Sequence, residues 1–238
     1  MIGSIVNAAG IVVGGVIGLT IKTPLSPARQ GSLKLWLGAA TVVAGMWLTW
    51  HSVNGTVWQM GRQLLIALLA LMLGRILGRI LHLQKLSNRL GHQASEAIAR
   101  AAKSPPGKNG FNVATLLFCA APLAIVGAVQ DGLSGYCAPL IIKAVMDGLT
   151  VMSFVALFGW VVIPSALPVF AFQGTITLLC LHLAKPFLEQ YALLDSVNAT
   201  GGLLVMFMAV VIFEVRKVEL TDYLPSLAVA PLLTYWWH

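Results

Sequence analysis

Long uninterrupted apolar stretches are the feature of this sequence that most restricts its fold. Each approaches the roughly 20 residues that an α-helix needs to cross the hydrocarbon core of a bilayer. Seven stretches occupy residues 2–20, 34–52, 61–81, 111–129, 137–162, 165–183 and 198–213. Pro225 and Pro231 interrupt a weaker candidate at 222–237, which either spans or enters and turns back. The pattern predicts an all-α, polytopic integral membrane protein with seven or eight transmembrane helices, some of them broken.

The composition supports a membrane protein over a soluble one. Hydrophobic residues make up 58% of the 238 positions and charged residues 10%, whereas soluble domains carry about 25% charged residues. The net charge of +7 would suit a nucleic-acid partner, but the basic residues flank the apolar stretches and form no nucleic-acid-binding motif. We therefore expect the lipid bilayer, and no nucleic acid, as a partner.

The distribution of basic residues predicts the orientation, because cytoplasmic loops carry an excess of Lys and Arg. Twelve of the 15 Lys and Arg residues fall on one side: Lys22, Arg29, Lys34, Arg75, Arg79, Lys85, Arg89, Arg100, Lys103, Lys108, Arg216 and Lys217. Arg62 and Lys185 fall opposite, and Lys143 lies within a span. The N-terminus is expected outside. The first stretch has no basic region before it, so we do not expect it to be cleaved as a signal peptide. We expect it to stay as a helix of a multi-pass protein in the bacterial inner membrane.

The one long polar segment, residues 82–110, separates a first membrane half, residues 1–81, from a second, residues 111–238. Its apolar residues recur at helical spacing among basic ones: Leu86, Leu90, Ala94, Ile98 and Ala101. This pattern is typical of an amphipathic helix on the cytoplasmic membrane surface, and the run 104–107 (Ser-Pro-Pro-Gly) ends it. A docking site for a cytoplasmic partner is the alternative interpretation.

Glycines in the first span predict close helix packing. Gly10, Gly14 and Gly18 recur every four residues and leave a groove in which another backbone can approach. Asn7 precedes them, and Asn198 stands in a similar context before Gly201 in the seventh span. The two asparagines suggest a repeated polar element that lines a path, and an internal repeat is one interpretation. Ordinary helix packing is the other.

Charged residues inside the fifth span give the strongest functional signal. Lys143 and Asp147 are one helical turn apart on the same face, close to the bilayer midplane. A lone carboxylate at that depth costs about 2.5–3.5 kcal/mol on insertion scales, so it should be paired, protonated or exposed to water. A structural ion pair is one explanation, and a transport or ion-binding site is the other. Gln173 adds a polar group at similar depth in the sixth span.

A polar interruption between the fourth and fifth spans offers oxygen ligands near the outer surface. Gln130, Asp131 and Ser134 lie among Gly127, Gly132 and Gly135, whose flexibility permits backbone carbonyls to turn inward. These groups suit a hard cation, which makes Asp131 a candidate at the outer mouth of a path. An ordinary extracellular turn has a similar sequence.

Other chemistry is not indicated. Cys119, Cys137 and Cys180 lie in apolar runs without metal-ligand spacing, and we interpret them as packing residues. The sequence contains no HExxH, CxxC or nucleophile-elbow motif and no paired carboxylates. We therefore expect no enzyme activity, no catalytic residues, no cofactor and no resident metal.

The whole pattern resembles a bacterial membrane-protein family called domain of unknown function 554 (DUF554). The resemblance rests on residues spread over nearly the whole chain: Asn7, Gly10, Gly14, Gly15, Gly74, Gly78, Gly127, Ala128, Asp131, Gly132, Gly135, Lys143, Asp147, Gln173, Gly201, Gly202, Leu224 and Pro225. It implies a membrane transport protein without naming a cargo. Arg79 departs from the pattern, since the resemblance leads us to expect an acid there. If that acid helps to bind a cation, the site in this chain is altered or lies elsewhere.

Taken together, the residues predict a transporter or channel for a small ion or solute. Lys143 and Asp147 are its centre, Gln173, Asn7 and Asn198 line the path, and Gln130 and Asp131 lie nearer the outer mouth. The small number of helices per chain and the glycine face of the first span also lead us to expect a homo-oligomer, and a dimer because twofold association is the commonest symmetry. The alternative is a membrane scaffold or sensor that transports nothing and engages a cytoplasmic partner through residues 82–110.

Overall fold

The computed structural model describes residues 1–21, 26–101, 109–215 and 218–237. Over these residues the α-helices are α1 Ile2–Thr20, α2 Pro27–Ser52, α3 Val57–Ile80, α4 Leu83–Ala101, α5 Gly110–Ala120, α6 Pro122–Leu133, α7 Ala138–Phe158, α8 Ala166–Leu179, α9 Lys185–Gln190, α10 Leu194–Ile212 and α11 Ser226–Trp236. Short 3₁₀ helices occupy Gly159–Ser165 and Leu220–Tyr223, and a π-helical turn, Cys180–Ala184, joins α8 to α9. The described residues contain no strand, which confirms the all-α class.

Several helices are long and apolar enough to cross a membrane. Within the described residues five segments meet this condition, and the bent pair α5–α6 makes a sixth if it counts as one span. One of the five, Ala138–Gln190, is 53 residues long. Its two arms run in opposite directions along α1. Gly10 and Gly14 face Ala144 and Gly148 of α7 in the same order, whereas Ser4 and Asn7 bond to Thr177 and Gln173 of α8 in the reverse order. The total of seven or eight spans and the outward N-terminus stay predictions.

Two helices begin earlier than the apolar runs predict. Pro27 opens α2 earlier than expected, because proline is favoured in the first turn of a helix. Thr56 forms a capping box with Gln59 and starts α3 before the apolar run begins. The first predicted span, residues 2–20, matches α1.

The predicted continuous span 111–129 is wrong. Its residues belong to α5 and α6, which meet at an angle of 60° around Ala121. Pro122 causes the break, because it has no N–H and its ring clashes with the carbonyl one turn earlier. This break was not predicted. In the candidate 222–237 the helix α11 begins only after Pro225, as the predicted interruption requires, but it continues through Pro231.

The bundle has two ends, which we name by the first and last residues of α1. At the Thr20 end, Gly18 packs on Met152 of α7. Helix α4 lies at the same end, where Ala94 joins a core cluster with Phe158 and Val162. The predicted amphipathic helix thus packs on the bundle through Ala94 and Ile98, whereas Leu86 of the predicted apolar face is 57% exposed. Basic side chains on its exposed face include Lys85, Arg89 and Arg100. The basic residues Lys22, Lys103, Lys108, Arg216 and Lys217 and the predicted turn 104–107 lie outside the described residues.

Polarity is reversed relative to a soluble protein. Large apolar side chains are exposed on α2 and α3, among them Trp36, Trp50, Trp58, Leu68 and Met72. Amides and charges, in contrast, are buried within the bundle. This arrangement suits contact with lipid outside and polar contacts inside, where the backbone and side chains satisfy one another. The membrane location of the protein follows from it.

Candidate functional site

A buried ion pair lies in the middle of α7. Asp147 is nine residues beyond Ala138, about 14 Å along the helix at about 1.5 Å per residue. The Lys143 ammonium contacts Oδ2 of Asp147 one turn away, and only 2% and 9% of the two side chains are exposed. Lys143 also lies 5.5 Å from the centre of the Phe118 ring of α5. The two opposite charges leave this pair neutral as a whole.

Glycines let α1 approach this part of α7 closely. A Cβ on Gly14 would lie 2.2 Å from the carbonyl oxygen of Gly148, and one on Gly10 would lie 2.7 Å from that of Ala144. Gly18 likewise faces Met152 at the Thr20 end of the contact. The glycine groove on α1 is therefore occupied by α7 of the same chain, and it does not supply the dimer contact that motivated the predicted homo-oligomer.

Two amides complete the layer of polar groups around the pair. Asn7 of α1 donates from Nδ2 to Oε1 of Gln173 on α8 at 3.1 Å, and it also lies within interaction range of the Asp147 carboxyl. Both amides are fully buried. Among the residues that the structure describes, Oδ1 of Asn7 and Nε2 of Gln173 have no hydrogen-bond partner. We call Asn7, Lys143, Asp147 and Gln173 the midplane cluster. A buried polar atom without a partner costs about 1–3 kcal/mol, so the cluster has unused capacity to bind.

The break between α5 and α6 lies next to the cluster. Phe118, which contacts Lys143, is in the last turn of α5, where the final carbonyls have no partner within that helix. Helix α6 then begins at Pro122 after the extended residue Ala121. Irregular backbone at membrane depth is tolerated where protein surrounds it or where it lines a cavity, and transporters use such half-helix ends to bind charged groups.

Asp131 occupies a separate layer at the Met1 end. Its Oδ2 accepts the N–H of Gly3 at 3.2 Å and lies 3.1 Å from the α-amino group of Met1. Nearby, Ser4 and Thr177 share a hydrogen bond of 3.2 Å. Asp131 is 4% exposed and already holds two donors, so it is a buried link between α6 and the start of α1.

The polar interruption predicted at Gln130, Asp131 and Gly132 is helical in the structure, where these residues belong to α6. The expectation of an irregular loop at these positions is wrong, and the carbonyl of Gln130 accepts the N–H groups of Ser134 and Tyr136 just beyond the helix. Non-helical backbone begins only at Ser134 and continues to Cys137, with Gly135 at a φ of 69°. The glycines serve packing instead: a Cβ on Gly132 would lie 2.5 Å from the carbonyl oxygen of Thr177.

Gln130 and Asn198 lie where α6 meets α10. Gln130 is fully buried, its two amide atoms have no partner within the described part of the chain, and Gly201 packs against its Nε2. Oδ1 of Asn198, one turn before Gly201, is also buried and unpartnered. Among the described residues no hydrogen bond joins Asn198 to Asn7, so the proposed repeated element is not a direct pair. The structure thus joins four predicted site residues in one cluster and places Gln130, Asp131 and Asn198 nearer the Met1 end.

Sequence reasoning missed several polar contacts. Ser4 and Thr177 are short hydroxyls in apolar runs, and only their spacing from Asn7 and Gln173 could have indicated that they share the same helix faces. At the Thr20 end, Asp222 accepts the backbone N–H of Gln84 at 2.8 Å, while the Gln84 side chain accepts the N–H of Thr221. This reciprocal contact joins α4 to the 3₁₀ helix before α11.

Arg79, where the resemblance led us to expect an acid, lies at the exposed end of α3 with Glu219 at 3.4 Å. It is remote from the midplane cluster in the bundle. Among the described residues no three His, Cys, Asp or Glu side chains group to hold a metal ion, and Cys119, Cys137 and Cys180 are free thiols.

The family and the relatives that comparison with known proteins finds for this chain carry names that assign no activity. A family model described as "Protein of unknown function (DUF554)" matches residues 2–235. The protein named "Uncharacterized membrane protein YdfK" of Bacillus subtilis (strain 168) is 26% identical over 239 residues, which cover 100% of this chain and 97% of the relative. "Uncharacterized protein YqgA" of Escherichia coli (strain K12) is 27% identical over 243 residues, with 99% and 97% coverage. No solved structure matches the chain.

Proposed function

We propose, from the premise that this chain belongs to the DUF554 family, that it is a transporter or channel for a small ion or solute. Its path passes the midplane cluster of Asn7, Lys143, Asp147 and Gln173. The observation that carries the proposal is the buried Lys143–Asp147 pair with unpartnered amide atoms beside it. The proposal involves no covalent chemistry.

A contribution to the stability of the fold does not explain why this pair is buried here. Replacing a buried ion pair by apolar residues of similar size is often neutral or stabilising by about 1–4 kcal/mol. The unpartnered atoms of Asn7 and Gln173 add a further cost. A polar species that binds between these groups would satisfy them and exchange contacts with the two charges. Ionisable residues inside a membrane typically serve such paths.

The neighbouring broken span supports the same function. The last carbonyls of α5 attract positive charge, and the first N–H groups of α6 attract negative charge. The end of α5 is connected to the cluster by Phe118, whose ring lies 5.5 Å from the Lys143 ammonium. A substrate at this depth would therefore find donors and acceptors without leaving the protein for lipid.

The test compares variants in proteoliposomes. Purified protein is scanned for flux of Na⁺, K⁺, H⁺, Cl⁻ and small organic anions, together with Asp147→Asn and with the double variant Lys143→Met/Asp147→Asn. Glu219→Gln, which removes an exposed carboxylate, is the matched control. We expect selective flux in the parent and the control, and loss of flux in both cluster variants. If the folded double variant keeps its flux, the pair is only structural.

We further propose that the protein lies in the bacterial inner membrane as a dimer. Since α7 fills the glycine groove of α1, a dimer would use another lipid-facing surface. Native mass measurement in mild detergent tests the assembly, and a monodisperse monomer would overturn it.

A second candidate function is a membrane scaffold or sensor. The contact between Asp222 and Gln84 anchors α4 to the bundle, while Lys85 and Arg89 face outward on a fixed surface. Such a surface would suit an acidic cytoplasmic partner. This function predicts that reversing the charges of Lys85 and Arg89 abolishes the cellular phenotype while Asp147→Asn preserves it; the opposite pattern supports transport.

A further inference from the structure

A crevice of about 410 Å³ opens at the Thr20 end between α2, α7 and α10. Along α7 it extends from Ser153 to Met146, about 10 Å at about 1.5 Å per residue. Met146 is adjacent to Asp147 in sequence, so the deep end of the crevice reaches the level of the midplane cluster. The volume falls within the range of about 300–1,000 Å³ that is typical of small-molecule sites.

The crevice walls are mainly apolar. Six aliphatic or thioether side chains line them: Leu33, Leu37, Met146, Leu149, Val211 and Ile212. The hydroxyls of Thr150 and Ser153 donate to carbonyls of their own helix, at 2.8 Å and 3.5 Å. Gln30 adds one amide side chain to this lining. A bare inorganic ion would lose hydration here with few oxygen ligands in return, whereas an apolar body would gain from leaving water.

Charges are concentrated at the crevice mouth. Lys34 of α2 and Glu214, just beyond α10, form an ion pair there, and their side chains are 50% and 69% exposed. Glu214 has a φ of 57°, a conformation that residues other than glycine rarely adopt, and it follows the end of α10. Arg29 lies on a shallow adjoining groove that shares Leu33. At the mouth itself the charges of Lys34 and Glu214 balance. Arg29 on the adjoining groove adds one positive charge to this part of the surface, which favours an anion over a cation.

We propose that this crevice binds a small organic monoanion with an apolar body, with the anionic group at Lys34 and the body between α2, α7 and α10. Because an exposed ion pair contributes little to stability, the Lys34–Glu214 contact can exchange for a Lys34–ligand contact at low cost. As an assignment of the substrate class, the inference rests on the proposed transport function. As a binding site, it stands on the crevice alone.

The experiment measures protection of a cysteine in the crevice. In full-length protein whose Cys119, Cys137 and Cys180 are replaced by Ala, Ser153→Cys is labelled with an uncharged maleimide in nanodiscs of zwitterionic lipid. The probes are benzoate, benzylammonium and benzyl alcohol, which share a ring and differ in charge. Benzoate at ten times its Kd should slow labelling about tenfold. Ser95→Cys, exposed on α4, is the control and should label at an unchanged rate.

Two substitutions at the crevice mouth test the role of charge, and they should change the Kd for benzoate in opposite directions. Lys34→Gln should raise the Kd for benzoate about tenfold, because it removes one hydrogen bond between charged groups. Glu214→Gln should lower it, because Lys34 loses its competing partner. Lys34→Arg keeps the charge and should bind benzoate, which guards against a folding defect. Equal protection by all three probes, no protection by benzoate, or weaker binding in Glu214→Gln would overturn the proposal.

Flux of benzoate in proteoliposomes separates the two proposals. Benzoate protection together with benzoate flux that Asp147→Asn abolishes supports both. Protection without benzoate flux, while another species is transported, removes the substrate assignment and leaves the transport function. Protection without flux of any species removes the transport function and leaves the binding site.

Discussion

The Lys143–Asp147 pair makes a prediction about stability that depends on its burial. Lys143→Met removes the ammonium and leaves the Asp147 carboxyl surrounded by protein, with 9% of its side chain exposed. Breaking a buried pair on one side typically costs about 3–5 kcal/mol, because the remaining charge is uncompensated. Asp147→Asn should cost a similar amount by leaving the ammonium unpaired.

The double variant distinguishes coupling from independent effects. If the two losses were independent they would add, but Lys143→Met/Asp147→Asn removes both charges and should retain stability within about 2 kcal/mol of the parent. Reversible unfolding by SDS in mixed micelles, followed by the fluorescence of the seven tryptophans, measures the cycle. A double variant that loses the sum of the two single losses would refute the reasoning, since the charges would then be stabilised by other groups.

Two further predictions follow from packing and from helix α4. Gly14→Ala places a Cβ 2.2 Å from the carbonyl oxygen of Gly148 and should destabilise the fold by about 1–3 kcal/mol in the same SDS assay, whereas the control Gly61→Ala, with open space around it, should be neutral or slightly stabilising. Equal effects of both would contradict the α1–α7 contact. Asp222→Ala should speed hydrogen exchange at the first turn of α4 and cost about 1 kcal/mol, while Glu219→Ala, which breaks only an exposed pair, should leave that turn unchanged. Unchanged exchange in Asp222→Ala would show that α4 is held by its apolar face alone.

The parts of the fold that depend on local spacing were predictable from the sequence. An interval of four residues places Lys143 and Asp147 on one face of any helix, and they do pair. The glycine repeat in α1 indicates a close approach for the same reason. What the repeat cannot specify is the partner, because a groove accepts a helix of another chain as well as one of its own. The structure fills it with α7.

The break at Pro122 shows a limit of hydropathy. Ala120, Ala121 and Pro122 are apolar or neutral, so the run scores as one span although its backbone bends by 60°. The opposite error occurred at Gln130 and Asp131, where polar residues among glycines resembled a loop. In the structure their side chains are buried among other helices, and the glycines allow those helices to approach. Tertiary contacts, absent from any local pattern, decide both cases.

The contact between Asn7 and Gln173 spans 166 positions of the chain, and no periodicity relates the two residues. Both nevertheless belong to the residues on which the resemblance to the DUF554 family rests, as do Lys143 and Asp147. These four residues come from three separate helices and meet in one buried cluster, whereas Arg79, the departure from the pattern, lies at the exposed end of α3 with Glu219. An exchange of an acid for Arg79 therefore changes a surface ion pair and leaves the cluster's charge balance as it is. Helix packing needs only shape at these positions, and the polar groups that converge there add desolvation costs that packing does not recover. A bound polar species recovers them, and for that reason the cluster is the place where a substrate should be sought.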